Sequence, residues 1–471
     1  MIDARRGYLH RWNTWRRVSV NRQILSTTAA VGGMTAGVHA VTAAKDVIIA
    51  NQFGTTDVLD AFLIAVLLPT SAMSIVAGSF ASAFIPTYIS LQLREGREAA
   101  EQLYQSLMAW AIILLTGLVT VLALMAPVIV SFLGSGFSPE KLAVTRSLLL
   151  MLLPFLLLKG LAMVWTAVLN AGQRFAVAAG IPLLTPAITV ALLLVMGHQW
   201  GIYALVVGTV GGAFAETVAL IWHLRRLRVP ITPRWGVWSP AVAEVMRQYG
   251  PMIAGAFLMT STVLVDQAMA AMLGPGSVST LSFGGKMASF LLAVGATALG
   301  TAVLPHFSRM VAHSDWLGVR HTLRTYVRLI LLTTIPLTVL CLYRSELLVM
   351  LIFERGQFTA ADTQAVSQVQ VFLLLQIPSY LVGILIVQLV SALKANSLLM
   401  WGCVINFVVN VVLNYVLMQW LQVAGIALST AVVYLVSVIY LSVMLQQVLR
   451  QREMQKVVQS RQAQGTGNML P

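Results

Sequence analysis

The sequence predicts an all-α polytopic membrane protein. Of its 471 residues, 58% are hydrophobic and only 10% are charged, whereas about 25% are charged in soluble domains. The mean hydropathy is +0.84. The stretch 395–449 contains no Asp, Glu, Lys or Arg, and one bilayer crossing needs about 20 apolar residues. A soluble enzyme, a DNA-binding protein and a secreted disulfide scaffold are therefore excluded.

Gly, Pro, Asn and clusters of charge divide the apolar stretches into about twelve predicted transmembrane helices. They are predicted at 24–50, 60–90, 105–133, 147–170, 176–197, 201–223, 249–273, 281–308, 328–353, 366–393, 397–419 and 423–448. An even number of spans leaves both chain termini on one side of the membrane. The Arg-rich start precedes an apolar run that is longer than a signal-peptide core, so we expect an uncleaved first helix.

The distribution of basic residues indicates on which side of the membrane the two termini lie. If the N-terminus is cytoplasmic, 23 of the 30 Lys and Arg residues lie in cytoplasmic segments, four lie in outward loops and three lie inside spans. Cytoplasmic loops are enriched in Lys and Arg. The bias predicts cytoplasmic N- and C-termini, and the net charge of +14 then reflects membrane topology and not nucleic-acid binding.

The chain also contains a weak internal repeat at an offset of about 220 residues. Residues 50–54 correspond to 270–274, and two further matches pair 84–88 with 303–307 and 136–138 with 357–359. Six spans in each half predict two parallel lobes about a central cavity, an arrangement that is typical of secondary transporters. The predicted divisions are a basic N-terminus (1–23), an N-terminal lobe (24–230), a C-terminal lobe (231–450) and a polar cytoplasmic tail (451–471).

Several ionisable residues fall inside the predicted spans, where each costs about 2.5–3.5 kcal/mol at the bilayer centre. They are Lys45, Asp46, Lys159, Glu216, Asp266 and Lys286. Such residues are expected to face a watery cavity or one another. Lys45 and Lys286 flank loops that the repeat relates, so we predict that both line the outer half of the cavity, where lysines suit a phosphate or diphosphate.

Structural roles are alternatives for all of these residues. Lys45 with Asp46, and Lys286, are also compatible with interfacial positions from which the lysines snorkel. Lys159 either faces the cavity or pairs with Glu216 or Asp266.

The two acidic residues, Glu216 and Asp266, either couple transport to protons or cations or serve as structural partners. His39 is either a helix-contact residue or a proton carrier.

No enzyme motif occurs: HExxH, Walker A and GxSxG are all absent from the sequence. Cys341 and Cys403 lack CxxC spacing, which predicts buried thiols and no metal site. Two GxxxG pairs, at 33–37 and 208–212, predict close helix contacts. We therefore expect a transporter without a catalytic residue, metal or cofactor, and transport without ATP hydrolysis.

Many modest matches in order resemble the MurJ/MviN lipid II flippases of the multidrug/oligosaccharidyl-lipid/polysaccharide exporter superfamily, over about 24–450. The residues that carry the resemblance are Lys45-Asp46, Phe53-Gly54, Asp57, Asp60-Ala61-Phe62, Pro69, Ala83 to Pro86, Gly136-Phe137, Pro154-Phe155, Leu169-Asn170, Arg174-Phe175, Val265-Asp266, Gly276 to Val278, Gly300-Thr301, Leu304-Pro305, Arg355 to Thr359, Asp362, Asn410, Leu413-Asn414, Ala424-Gly425 and Ala427-Leu428.

The resemblance implies an alternating-access flippase that moves an undecaprenyl-diphosphate-linked saccharide from the inner to the outer leaflet. Lys45 and Lys286 match family arginines that contact the diphosphate, and Asp60 matches a family acidic position. Six residues are expected to shape or gate the cavity: His39, Asp46, Asp60, Lys159, Glu216 and Asp266.

The chain departs from the family in three ways. His39 stands where the family usually has Arg, the basic pair after Pro69 is replaced around 72–74, and we expect the last two family helices, which build a groove for the lipid tail, to be missing. The predicted cargo is therefore lipid II or a related cell-wall or exopolysaccharide precursor. The expected location is the bacterial inner membrane, and the expected partners are this lipid, membrane lipids and a coupling cation, not nucleic acid.

Two other functions stay open at this point. One is a cation-coupled drug or small-molecule exporter of the same superfamily, which needs a cavity dominated by acidic residues. The other is a membrane scaffold that does not transport. The three lysines inside the predicted spans, Lys45, Lys159 and Lys286, argue against the exporter.

Overall fold

The computed structural model describes residues 31–235, 238–393 and 395–467, and every regular element in these residues is helical. Eleven helices in the described residues are long and apolar enough to cross a membrane. A further helix occupies the described residues 31–53. The prediction of an all-α polytopic membrane protein is confirmed. The predicted N-terminal segment 1–23 and the last four residues of the predicted tail lie outside the described residues.

Sixteen α-helices occur in the described residues. In chain order they are α1 (31–53), α2 (Asp57–Met73), α3 (Ser79–Glu95), α4 (Arg97–Leu133), α5 (Pro139–Ala171), α6 (Phe175–Gly180), α7 (Leu184–Trp200), α8 (Ile202–Arg226), α9 (Pro240–Ala271), α10 (Ser277–Ala312), α11 (Trp316–Tyr343), α12 (Ser345–Phe353), α13 (Ala360–Leu374), α14 (Gln376–Ala392), α15 (Asn396–Leu421) and α16 (Val423–Gly467). A π-helical turn at Ser74–Gly78 joins α2 to α3, and a 3-10 turn at Ile181–Leu183 joins α6 to α7.

Helix ends differ from the predicted spans because caps, and not hydropathy, decide where a helix begins. α11 begins at Trp316, well before the predicted start at 328, since the Asp315 side chain accepts a hydrogen bond from the Gly318 amide. A side chain that satisfies such an amide stabilises a helix start. Four predicted spans are each divided into two helices: 60–90 at the π-helical turn, 176–197 at the 3-10 turn, 328–353 at Arg344 and 366–393 at Leu375.

The described residues form two compact units. The first contains 31–49, 65–127 and 145–253, and the second contains 50–64, 128–144 and 254–467. The second unit thus includes two short segments from the first half of the sequence. The predicted division into lobes at 230/231 stays a prediction.

The first unit has an aromatic core on α3, α4 and α9. Phe80 and Phe84 stack with their ring centroids 5.3 Å apart, and Tyr249 meets Phe80 edge to face. The Tyr249 hydroxyl donates a hydrogen bond of 2.7 Å to the Val76 carbonyl in the π-helical turn. A carbonyl displaced from the α-helical pattern therefore finds a partner, as buried polar groups require.

One of the two predicted GxxxG contacts is confirmed in the first unit. A Cβ at Gly212 would lie 2.7 Å from the Thr185 Cα, and a Cβ at Gly208 would lie 2.9 Å from the Thr189 Cα, so α8 packs closely on α7. A Cβ at Gly33 or Gly37 would have no atom within 4 Å among the described residues. A close helix contact at Gly33 and Gly37 stays a prediction.

In the second unit, α10 packs against α13 and α14, and α14 packs against α16. Small residues permit this approach, because a Cβ at Gly284 would lie 2.6 Å from Val369 and one at Gly295 would lie 2.6 Å from Leu381. Large apolar side chains on α4 and α11 stay exposed, including Phe132 at 76%. Such exposure suits hydrocarbon and not water as the surrounding medium.

Candidate functional site

Four segments of the second unit meet where α2, α5, α10 and α13 begin. We call this region, residues 51–60, 134–141, 271–279 and 354–362, the loop junction. Its centre is Asp60, whose side chain is 0% exposed. The Asp60 carboxylate accepts hydrogen bonds of 2.8 Å from the backbone amides of Gly276 and Ser279. It therefore sits at the N-terminus of α10, where the helix dipole favours negative charge.

A lysine completes this arrangement. The Lys141 ammonium lies 3.2 Å from an Asp60 carboxylate oxygen, forms an ion pair with Asp57 and lies 3.8 Å from the centroid of the Phe137 ring. A buried carboxylate is tolerated only when it is paired and hydrogen-bonded. The side chain of Asp60 meets both conditions, so this one carboxylate joins α2 to α5 and α10.

A second contact in the loop junction joins the α1–α2 loop to the start of α13. The Thr55 hydroxyl donates to the Asp362 carboxylate. Asp362 also accepts from the Thr359 amide and completes a capping box with Thr359. In addition, the Gln357 amide donates a 2.9 Å hydrogen bond to the Asn51 carbonyl. The same acidic residue therefore caps its own helix and binds the neighbouring loop.

Two glycines let the backbones of the loop junction approach. Gly54 has φ +56°, and a Cβ there would lie 2.4 Å from the Gln357 carbonyl oxygen. Gly276 has φ +77°, and a Cβ there would lie 2.5 Å from the Thr55 carbonyl oxygen. Both positions need glycine for the left-handed backbone conformation and for the space.

The first unit contains a separate buried ion pair between α5 and α8. Lys159 pairs with Glu216, and their side chains are 19% and 2% exposed. The Thr185 hydroxyl of α7 donates a 2.6 Å hydrogen bond to the same Glu216 oxygen. Of the alternatives that the sequence left open for Lys159, the structure shows a pair with Glu216. The predicted cavity role of these two residues stays a prediction.

The second unit contains a carboxylate that hydrogen-bonds with uncharged side chains. Asp266 of α9 accepts hydrogen bonds of 2.9 and 2.6 Å from the side-chain amides of Asn410 and Asn414 on α15. The Thr430 hydroxyl of α16 lies 3.4 Å from its other oxygen. Within the described residues, Asp266 forms no ion pair with Lys or Arg, and the Asn414 side-chain oxygen is buried without a hydrogen-bond partner. We call Asp266, Asn410, Asn414 and Thr430 the Asp266 cluster.

The predicted diphosphate ligands lie in membrane helices of different units. Lys45 of α1, in the first unit, is 27% exposed, and its ammonium lies 3.8 Å from the Asp46 carboxylate. Lys286 of α10, in the second unit, is half-buried. His39 is exposed on α1. Diphosphate binding by the two lysines stays a prediction.

Sequence reasoning missed several partners in these sites. Lys141 is one of the four basic residues counted in the outward loops and receives no role there, and Asp362, Asn410 and Asn414 enter only through the family resemblance. A signal was nonetheless present, because a charged or amide residue in an otherwise apolar helix needs a partner.

Chemically, each of the two units holds charged side chains inside membrane-spanning helices. In the part of the chain that the structure describes, no three His, Cys, Asp or Glu side chains come together as metal ligands. Together, the helices and their intramembrane charges define the class of polytopic membrane transporters.

Comparison with known proteins identifies the family within this class. The family model of the lipid II flippase MurJ matches residues 49–463. The chain belongs to the MurJ family.

Individual relatives agree. A probable lipid II flippase MurJ of Buchnera aphidicola is 24% identical over 421 residues, which are 87% of this chain and 80% of the relative. The structure of a lipid II flippase MurJ in an inward closed conformation aligns with a TM-score of 0.78 and 20% identity, over 91% of this chain and 90% of that one. An inward-facing multidrug MATE transporter of the MOP superfamily aligns with a TM-score of 0.73 and 11% identity, over 88% and 95%. The structural likenesses show the shared fold.

The glycine contacts yield a test with a matched control. Gly54 and Gly201 have nearly the same φ, +56° and +54°, but a Cβ at Gly201 would meet nothing within 4 Å. We expect Gly201→Ala to cost about 1–3 kcal/mol of backbone strain, and Gly54→Ala to cost clearly more because it also separates Gly54 from Gln357. Thermal unfolding of the purified variants measures the difference. Equal losses of Tm would contradict the close approach.

The buried ion pair yields a second test. Lys159→Met should lower the free energy of unfolding by about 3–5 kcal/mol, because it leaves Glu216 buried without its cation. The double variant Lys159→Met/Glu216→Gln should recover most of that loss. The exposed pair Arg97–Glu101 is the control, and its Arg97→Gln variant should change Tm little. A double variant that is no more stable than Lys159→Met would argue against coupling between the two charges.

Proposed function

We propose that this protein flips an undecaprenyl-diphosphate-linked saccharide, lipid II or a related cell-wall or exopolysaccharide precursor, from the inner to the outer leaflet of the bacterial inner membrane. The observation that carries the proposal is the MurJ family match over 49–463. Membrane lipids surround the protein during this transport. The bias of Lys and Arg toward one side supports an orientation with both termini in the cytoplasm.

The intramembrane lysines supply the chemistry that such a cargo requires. A diphosphate carries negative charge through a medium of low dielectric, and an ammonium placed on its path offsets that cost. Lys45 and Lys286 are the proposed ligands. Asp46, next to Lys45, holds the lysine before the diphosphate arrives. His39, Lys159 and Glu216 shape the cavity in this proposal.

The loop junction is the proposed outward gate. With cytoplasmic termini, the loops that follow α1, α4, α9 and α12 lie on the outer side. They are joined through Asp60 and Asp362, so the cargo leaves outward only when these contacts break. The polar contacts of Asp60 and Asp362 re-form in water at little net cost, because intramolecular hydrogen bonds exchange for bonds with water. Such contacts suit a gate that opens in every cycle.

The Asp266 cluster is the proposed coupling site. A buried carboxylate with two amide groups, a hydroxyl and an unpartnered amide oxygen nearby offers oxygen ligands, which hard cations prefer. One carboxylate neutralises one positive charge, so the proposed coupling ion is a monovalent cation such as Na⁺, or a proton. Its binding would draw α9, α15 and α16 together.

The alternative functions have less support. The family comparisons favour a flippase over a drug exporter, because the likeness to a multidrug transporter occurs at 11% identity and concerns the fold. A non-transporting scaffold would not explain the lysines within the membrane helices, because each of them costs free energy there.

The lysine assignment is tested in vesicles that contain the purified protein and a fluorescent lipid-linked saccharide. We expect Lys45→Gln and Lys286→Gln each to lower the rate of flipping roughly tenfold or more, since a hydrogen bond to a charged group contributes about 1.5–3 kcal/mol. Lys→Arg at the same positions should keep the activity. The exposed Arg94→Gln is the matched control. Wild-type rates in both Lys→Gln variants would remove these lysines from the proposed site.

The coupling assignment is tested with the same vesicles under an imposed Na⁺ or proton gradient. Asp266→Asn should abolish the dependence of flipping on the gradient while the protein stays folded, because the near-isosteric amide removes the charge. Asn406→Ala is the control, since Asn406 lies one turn before Asn410 and bonds Ser437 instead. A gradient response in Asp266→Asn equal to that of wild type would exclude the Asp266 cluster as the coupling site.

A further inference from the structure

The second unit contains an apolar groove with no role in the proposed transport. It is a cavity of about 330 Å³ between α11, α14 and α16. Val327 and Leu331 form one wall, buried Val382 and Ile386 form the floor, and Val438 and Leu445 form the other wall. Leu435 at the rim is 49% exposed. The groove therefore opens on a surface that a membrane protein presents to lipid.

The shape of the groove limits what fits. Its lining on α16 extends from Leu435 to Leu449, which is about 21 Å of helix at 1.5 Å per residue. The whole empty space of the groove, about 820 Å³, over that length gives a mean cross-section of roughly 40 Å², whereas a helix about 10 Å across needs roughly 80 Å². The groove is thus too narrow for a helix but suits a single hydrocarbon chain.

An ion pair joins α11 to α16 just beyond the residues that line the groove. Arg320 of α11 lies 2.9 Å from Glu453 of α16, and both side chains are about one-third exposed. Arg320 precedes Val327 by two helical turns, and Glu453 follows Leu449 by four residues, so both extend the faces that line the groove. The groove therefore has charged residues at this end, whereas its lining is mostly apolar.

Positive charge is in excess at this end. The turns 320–324 and 449–453 contain Arg320, Arg324, Arg450 and Arg452 but only one acidic residue, Glu453. Arg324, Arg450 and Arg452 are exposed. Basic clusters next to membrane helices attract anionic lipid headgroups.

We propose that this groove binds one acyl chain of an anionic phospholipid from the surrounding bilayer, with the lipid phosphate on Arg320 and Arg324. Charge complementarity selects the phosphate and the narrow cross-section selects the chain. The lipid would tie α11 to α16 without taking part in transport, so the proposal does not rest on the proposed function.

The test uses the full chain in phosphatidylcholine nanodiscs that contain a trace of phosphatidylglycerol with a photoreactive acyl chain. Cross-linked peptides are mapped by mass spectrometry. We expect cross-links to concentrate on the groove residues of α14 and α16. Val438→Trp, which fills the groove, should remove them, and Leu332→Trp should not, since Leu332 is 74% exposed on α11 outside the groove.

The charge variants test the headgroup without disturbing the packing. Arg320→Gln and Arg324→Gln should each lower the cross-linking yield roughly fivefold, whereas exposed Arg225→Gln in the first unit should not. A phosphatidylcholine probe should cross-link less than the phosphatidylglycerol probe.

Any of four results would overturn the proposal. They are equal yields for the two probes, uniform labelling over α11, displacement of the probe by a polyprenyl phosphate but not by phosphatidylglycerol, and a dimer that Val438→Trp dissociates. The last two would instead assign the groove to a polyprenyl tail or to a second copy of this chain.

Discussion

The closed arrangement of the loop junction depends on one buried carboxylate. Asp60 has no exposure to solvent, and it is held by two backbone amides at the start of α10 and by Lys141. Removing any partner leaves a buried charge with fewer contacts, which is costly. The positions of α2, α5 and α10 within the second unit are therefore set together, and the glycines at 54 and 276 follow from how closely the backbones must approach.

The other intramembrane charges also need partners, and they find partners of different kinds. Lys159 and Glu216 neutralise each other, while Asp266 is held by neutral amides and a hydroxyl. A carboxylate that only neutral groups hold keeps its affinity for a cation, whereas a paired one does not. This difference separates a structural charge from a proposed coupling site.

The fold was predictable from the sequence because hydropathy and charge report directly on membrane insertion. Site partners were harder to predict, since Lys141 is close to Asp60 only after α2 and α5 have packed, 81 residues apart in sequence. Asn410 and Asn414 were detectable as polar residues in an apolar helix. Their neighbours in the sequence do not indicate that Asp266 is their partner. The helix start at 316 depends on capping by Asp315, which hydropathy does not measure.

Locking the loop junction tests the central claim most directly. Thr55 and Asp362 are replaced by Cys after Cys341 and Cys403 have been replaced by Ser, and flipping is measured before oxidation, after oxidation and after reduction. If the loop junction is the outward gate, the disulfide-locked protein does not flip lipid and reduction restores the rate. A locked protein that flips lipid at the rate of the reduced protein would contradict the account.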